Sequence, residues 1–170
     1  MNNRRFYPLL LTLIVIALDQ LSKLWIVNHI EVGSLYRYYF GDFLAIIHVR
    51  NTGAAFSLAA KTTGFLHTLV LIIIPFLFMI FLMFIITSKK NGFSVYQAFL
   101  LAGIAGGGIG NLIDRIFRSS TGGVVDFISV KFYGLFGMDR FPTFNLADSS
   151  VVVCTILLIL SFIFSKRNSN

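Results

Sequence analysis

The chain has 170 residues, 56% of them apolar and only 12% charged, with a mean hydropathy of +0.83. That balance excludes a soluble domain, which needs far more polar surface to cover its core. Lys and Arg outnumber Asp and Glu by 14 to 7, but singly or in pairs at the ends of apolar runs. Such a pattern anchors helices and favours anionic lipid headgroups; nucleic acid is not an expected partner.

A hydrocarbon core of about 30 Å takes roughly 20 apolar residues as a helix, and four stretches qualify. The first covers 6–27. Arg4 and Arg5 precede it as they would a cleaved signal peptide, but Ala17-Leu18-Asp19-Gln20 lacks the small residues a cleavage site wants, so it reads as a retained helix. A long polar and aromatic outer loop, 28–64, follows. The second helix, 65–87, is free of charge and contains Pro75, which removes one backbone bond and is expected to bend it. After a short turn at Lys89-Lys90-Asn91-Gly92 comes the third helix, 93–115. Its pairs Gly103/Gly107 and Gly106/Gly110 are spaced for close approach of another helix backbone. A second outer loop, 116–144, leads to the fourth helix, 145–165. Cys154 lies in that apolar run and reads as a small hydrophobe without a disulfide partner.

The predicted fold is therefore an all-α integral membrane protein, a single membrane domain over 1–170. Arg4/Arg5, Lys89/Lys90 and Lys166/Arg167 concentrate positive charge on one side, in short tails or a tight turn. The positive-inside rule then places both termini in the cytoplasm and both long loops outside.

Ionisable groups within or beside such spans are costly, and each is a candidate for function. Asp19 and Lys23 lie four apart on one face near the outer end of the first helix, where an ion pair alone would account for both. Asn111, Asp114 and Arg115 are expected to share a face at the outer end of the third helix, and Asn145 and Asp148 lie three apart at the outer start of the fourth. Asp126 follows Gly122-Gly123 just beyond the third helix. The topology carries all of them to one membrane face. His29, His48 and His67 sit in no nucleophile or zinc motif, and read as loop polar groups. Carboxylates remain: two within hydrogen-bond reach share a proton, so one activates water while the other protonates the developing oxyanion or leaving amine. Composition does not say which two aspartates pair, and leaves ion transport equally open.

Five strings resolve that choice: Asp19-Gln20-Leu21-Ser22-Lys23, Arg50-Asn51-Thr52-Gly53-Ala54-Ala55-Phe56-Ser57, Gly107-Gly108-Ile109-Gly110-Asn111-Leu112-Ile113-Asp114-Arg115, Val124-Val125-Asp126-Phe127-Ile128, and Phe141-Pro142-Thr143-Phe144-Asn145-Leu146-Ala147-Asp148-Ser149. In this order, over nearly the whole chain, they resemble the lipoprotein signal peptidase (signal peptidase II) family. The resemblance implies an aspartic endopeptidase of the bacterial inner membrane, with its active site at the outer face. It would remove signal peptides from prolipoproteins already carrying a diacylglyceryl group, cutting just before the lipidated cysteine. It implies Asp126 and Asp148 as the catalytic pair and Asn51, Asn111, Arg115 and Asn145 as substrate-holding positions. Asp19, Lys23, Gly53 and Asp114 take supporting roles. No metal or organic cofactor is expected, and the protein is expected to be a monomer whose partners are its lipidated substrate and membrane lipids. The first outer loop should form a small strand-containing cradle and a flap. The stretch 131–140 is long and aromatic for the family and reads as a lip on the membrane surface.

The alternative is a small transporter or channel component using the intramembrane Asp and Arg groups as an ion relay, but the two helix pairs share no inverted pattern. The G-x-G-D of presenilin-like proteases and the G-x-S-x-G of serine hydrolases are both missing.

Overall fold

The computed structural model of the protein describes residues 6–53, 64–88 and 92–167, and side chains to Ser165. Arg4/Arg5, Lys89/Lys90, the side chains of Lys166 and Arg167, and residues 54–63 lie outside the described residues. So do the end of the second motif (Ala54, Ala55, Phe56, Ser57) and the part of the first outer loop where the flap is expected.

Among the described residues four helices are long and apolar enough to cross a bilayer: α1 (Tyr7–His29), α2 (Gly64–Thr87), α3 (Val95–Phe117) and α4 (Leu146–Arg167). Each has a local cause. Pro8 sits in the first turn of α1, where a missing N–H leaves nothing unpaired. In α2 the stretch Leu69–Ile73 is wound as a π-helix; the wider register comes just before Pro75, which has no N–H to give back to the preceding turn. Ser94 opens α3 with a reciprocal cap: its hydroxyl accepts from the Gln97 amide at 3.2 Å while the Gln97 side chain accepts from the Ser94 amide at 3.0 Å.

Helix α3 is the axis of the bundle. Two thirds of its apolar window (67%) is buried, against 22% for α1, 22% for α2 and 6% for α4. The other three helices pack around it and turn their large apolar side chains outward, as lipid-facing helices do. Its glycines decide which helix lies where. A Cβ on Gly106 would press into Val15 and the Thr12 carbonyl of α1, whereas one on Gly103 or Gly107 would overlap Cys154 or the Ala147 carbonyl of α4. The two expected glycine pairs thus serve two different partners. On the third side Met79, Leu82 and Ile86 of α2 meet Leu101, Ala102 and Ala105 of α3.

The loops at one end carry a three-stranded antiparallel sheet in the order β1 (Leu35–Tyr39), β2 (Leu44–Asn51), β3 (Val124–Val130). Helices and sheet together make the architecture four apolar helices with a small strand-built appendage. Val125 and Phe127 of β3 pack on Ile26, in the last turn of α1, and on Ile30 just beyond it. Strand alternation then sends Val124 and Asp126 to the opposite face. His48 is buried in β2, its Nδ1 2.6 Å from the Ile30 carbonyl, and so helps tie the sheet to α1.

Candidate active site

Asp148 lies in the first turn of α4, and Asn145 is the residue that caps it. The Asn145 side-chain oxygen accepts from the Asp148 amide at 2.9 Å, while a carboxylate oxygen of Asp148 accepts from the Asn145 amide at 3.2 Å. This is a capping box built from Asn and Asp, and it holds a carboxylate where the helix N-terminus favours negative charge. The second Asp148 oxygen accepts from the Asn111 side-chain amide of α3 at 2.7 Å.

Asp126 sits on β3, not on a flexible loop as its place after two glycines suggests. Gly122 (φ 100°) and Gly123 (φ 81°) make the turn that brings the chain from α3 into the strand. A Cβ on Gly123 would lie 2.6 Å from the Asn51 carbonyl, so β2 and the turn meet closely at this point. Asp126 is almost fully buried. One oxygen accepts from Asn51 Nδ2 at 3.0 Å and the other from Asn145 Nδ2 at 2.7 Å. Burial pushes Asp126 up from the usual carboxylate range to about 7; the Asn51 amide opposes this, and the charge of Asp148 adds to it.

Both carboxylates line one cleft of about 700 Å³, with Asn51, Gly53, Asn111 and Arg115 also in its wall, and Phe141, Phe144, Val151 and Val152 supplying an apolar side. Arg115 donates through Nη2 to the Gly53 carbonyl at 3.3 Å, and its buried Nε has no acceptor among the described residues. Arg50 also lines the cleft, with buried Nε and Nη1 lacking acceptors among the described residues. It occurs in the second motif but was not singled out by sequence. Its two open donors become visible only once β2 is folded against β3.

Behind the cleft lies a buried ionic cluster. Lys23 Nζ is 2.8 Å from Asp19, 3.0 Å from Asp114 and 2.9 Å from Asn111 Oδ1, and Lys23, Asp19 and Asp114 are fully buried. The other Asp19 oxygen accepts from the Ala147 amide at 3.1 Å, and Asp114 accepts from the Val125 amide at 3.1 Å. Each carboxylate therefore holds the backbone one residue before a site aspartate. Arg118 pairs with Asp114 and donates to Gln20 at 2.9 Å, so two cations meet two anions. Asp114 points into this cluster while Arg115, its neighbour, points into the cleft; the third helix does not present the two on one face. Sequence reasoning missed Gln20 and Arg118 as members, although Arg118 stands four residues after Asp114, the spacing of a helical ion pair.

Among the described residues no group of three or more His, Cys, Asp or Glu side chains is arranged to hold a metal. His29 stacks on Trp25 and His67 lies 3.1 Å from the Thr52 carbonyl.

Four apolar helices carrying a cleft with two hydrogen-bonded carboxylates at one end define a membrane-embedded enzyme. Residues 11–164 match the model of the Signal peptidase (SPase) II family, and the chain belongs to that family; it is a peptidase and a multi-pass membrane protein. It is 42% identical to the lipoprotein signal peptidase of Borrelia hermsii over 99% of this chain and 96% of that one. It is also 42% identical to the lipoprotein signal peptidase of Treponema pallidum, over 98% and 88%. A solved bacterial membrane enzyme superposes with a TM-score of 0.78 at 30% identity, over 96% of this chain and 91% of that one.

Proposed function

We propose that this protein is an aspartic endopeptidase that removes the signal peptide from diacylglyceryl-modified prolipoproteins, cutting just before the lipidated cysteine. Family membership supports the substrate class. The observation that carries the chemistry is Asn145, which binds Asp126 through its side chain and Asp148 through its backbone amide, so that both carboxylates face one cleft.

Two carboxylates facing one cleft oppose each other's charge, so that one of them keeps its proton. Asp126, pushed up to about 7 by burial, is the acid of the pair, and Asp148 is the base. Asp148 takes a proton from water as that water attacks the scissile carbonyl. Asp126 gives its proton to the developing oxyanion or the leaving amine. Asn51, Asn111, Asn145 and Arg115 hold the substrate backbone extended, with Gly53, Asp19, Lys23 and Asp114 supporting. No cofactor takes part.

The protein works as a monomer, one membrane domain in the bacterial inner membrane. Its termini lie in the cytoplasm and its cleft, cradle and flap at the outer face, where bilayer lipids surround it. The test is cleavage of a lipidated precursor by Asp126→Asn and Asp148→Asn in vesicles. Both should lose all measurable activity while inserting normally; turnover at native rates by either one would refute the pair.

A further inference from the structure

Among the described residues three non-glycine positions have left-handed backbone: Phe40 (φ 54°), Tyr133 (φ 51°) and Phe136 (φ 54°). All are aromatic, and they are 83%, 65% and 81% exposed. Such backbone favours glycine or asparagine, and an aromatic ring in water forfeits the burial that would repay it. Both costs fall together at the tips of just two turns, one between β1 and β2, the other at 132–139 beyond β3. Backbone outliers of this kind point toward function rather than away from it.

The two turns form one unit. Asp42 pairs with Lys131 and accepts from the Tyr133 hydroxyl at 3.3 Å. Its carbonyl accepts from Arg140 Nη1 at 3.0 Å, and the Phe43 carbonyl from the Lys131 amide at 2.8 Å. Arg140 also donates to the Ser129 hydroxyl and carbonyl at 2.8 Å each, which locks the pair of turns to β3.

Their position follows from α1. Tyr36 meets the Trp25 ring edge-on at 5.4 Å. Tyr36 and Tyr39 line an apolar cavity together with Ser22, Trp25 and Ile26 of α1 and Phe127 of β3. Ser22 stands about 10 Å back along the helix axis from His29, at 1.5 Å per residue. Strand β1 therefore lies beside a membrane-spanning helix whose Leu18, Leu21 and Leu24 are exposed, and Phe40 follows Tyr39 directly. This is the Phe127 side of β3, not the side that bears Asp126.

We propose that the two turns are a bilayer-docking lip, with Phe40, Tyr133 and Phe136 seated at the boundary between headgroups and acyl chains, and the exposed Arg37 among the headgroups. The bilayer is the occupant because the adjoining face of α1 already lies in it, and because rings with flanking cations are the composition of a membrane interface. Single rings on separate turns also suit a fluid partner better than a shaped protein surface. Docking would set the height of β3, and hence of Asp126, above the membrane plane. The inference does not depend on which reaction the cleft performs.

Trp25 is the one tryptophan, so a Trp25→Phe background leaves Phe40→Trp or Phe136→Trp as sole reporter. The protein is reconstituted in phosphatidylcholine–phosphatidylglycerol vesicles and quenched either by acyl-brominated lipid or by aqueous iodide. An interfacial ring should lose far more of its emission to the brominated lipid than to iodide. The reverse pattern would place the tips in water and overturn the lip; quenching by neither would mean that protein covers them, which overturns it equally. A spin label on Phe136→Cys in a Cys154→Ala background reads the same depth through collisions with oxygen and with a water-soluble nickel chelate, leaving Trp25 intact.

Discussion

Asn145 serves two carboxylates with three atoms: its side-chain nitrogen holds Asp126, its backbone nitrogen holds Asp148, and its side-chain oxygen caps α4. Asn145→Ala removes the first and the last of these. A lost cap costs about 1 kcal/mol, which the helix should survive, but Asp126 loses one of its two amide donors. Cleavage should therefore fall at least about 100-fold, the scale of a removed polar group in a preorganised site, while the protein still inserts; near-native rates would mean the bridge is incidental. Asp126 also sets a pH dependence. If its protonated form is the acid, the cleavage rate should fall as pH rises through about 7, by about tenfold per unit well above it. The sign for stability is the same. A carboxyl raised from 3.8 to about 7 on folding contributes stability that is fully present below its unfolded value and lost as pH rises through 7. Asp126→Asn cannot ionise, so this variant should melt higher than the native protein at pH 8, by about 2–4 °C for each kcal/mol recovered. An unchanged melting temperature would mean that Asp126 is not held up by burial. Of this site the sequence carried the residue types and the motifs; the Asn145 bridge it did not, because N-x-x-D reads as a cap only once a helix is known to start at Leu146.

Helices were legible because a bilayer imposes their length and removes charge from their middles, so 65–87 could hardly be anything else. The sheet was harder to read. All five residues of β1 are exposed, so no apolar alternation marks it, and its position is set by Trp25 on another element. Asp126 was expected on a loop because two glycines precede it, yet those glycines make a turn that feeds a strand. The buried Lys23 cluster was half legible: the spacing of Asp19 and Lys23 pointed to an ion pair, but the reach to Asp114 and Asn111 needs α1 and α3 side by side. What lets them lie so, and lets α4 join them, is the glycine face of α3. At Gly107 a Cβ would overlap the Ala147 carbonyl, one residue before Asp148, and backbone cannot step aside. Gly107→Ala should displace the start of α4 and cost most of the activity. At Gly103 the obstacle is the Cys154 thiol, with every other atom at 3.5 Å or beyond. Gly103→Ala should therefore destabilise by about 1–3 kcal/mol through overpacking, and adding Cys154→Ala should restore it. Melting curves of the two single variants and the double variant test the coupling; no rescue would mean that helix spacing, not the thiol, is limiting there.

The whole molecule explains why a peptidase should be built this way. A precursor anchored by its signal helix diffuses in the plane of the bilayer, so its cleavage point arrives at the level where α3 and α4 end in polar residues. The cleft meets it with carboxylates on one side and Val151, Val152, Phe141 and Phe144 on the other. Val152 is also 56% exposed on α4, as is Ile156 at 52%, so the apolar wall continues without a break onto a face turned toward lipid. Acyl chains on the substrate cysteine can follow that face without leaving hydrocarbon, and contact there contributes up to about 0.8 kcal/mol for each methylene it buries. The chains touch nothing that reacts, so they contribute binding in the ground and transition states alike, which lowers KM and leaves kcat nearly unchanged. A precursor with its signal helix intact but without the diacylglyceryl group should thus insert normally and be cut with a KM at least about tenfold higher, the equivalent of two buried methylenes. Substituting Val152→Asp should impose a similar KM defect on the lipidated precursor and little further on the unlipidated one. If both precursors were cut with equal KM, the apolar wall would not be reading lipid, and specificity would have to come from the peptide itself in the polar part of the cleft, which Asn51 and Arg115 line.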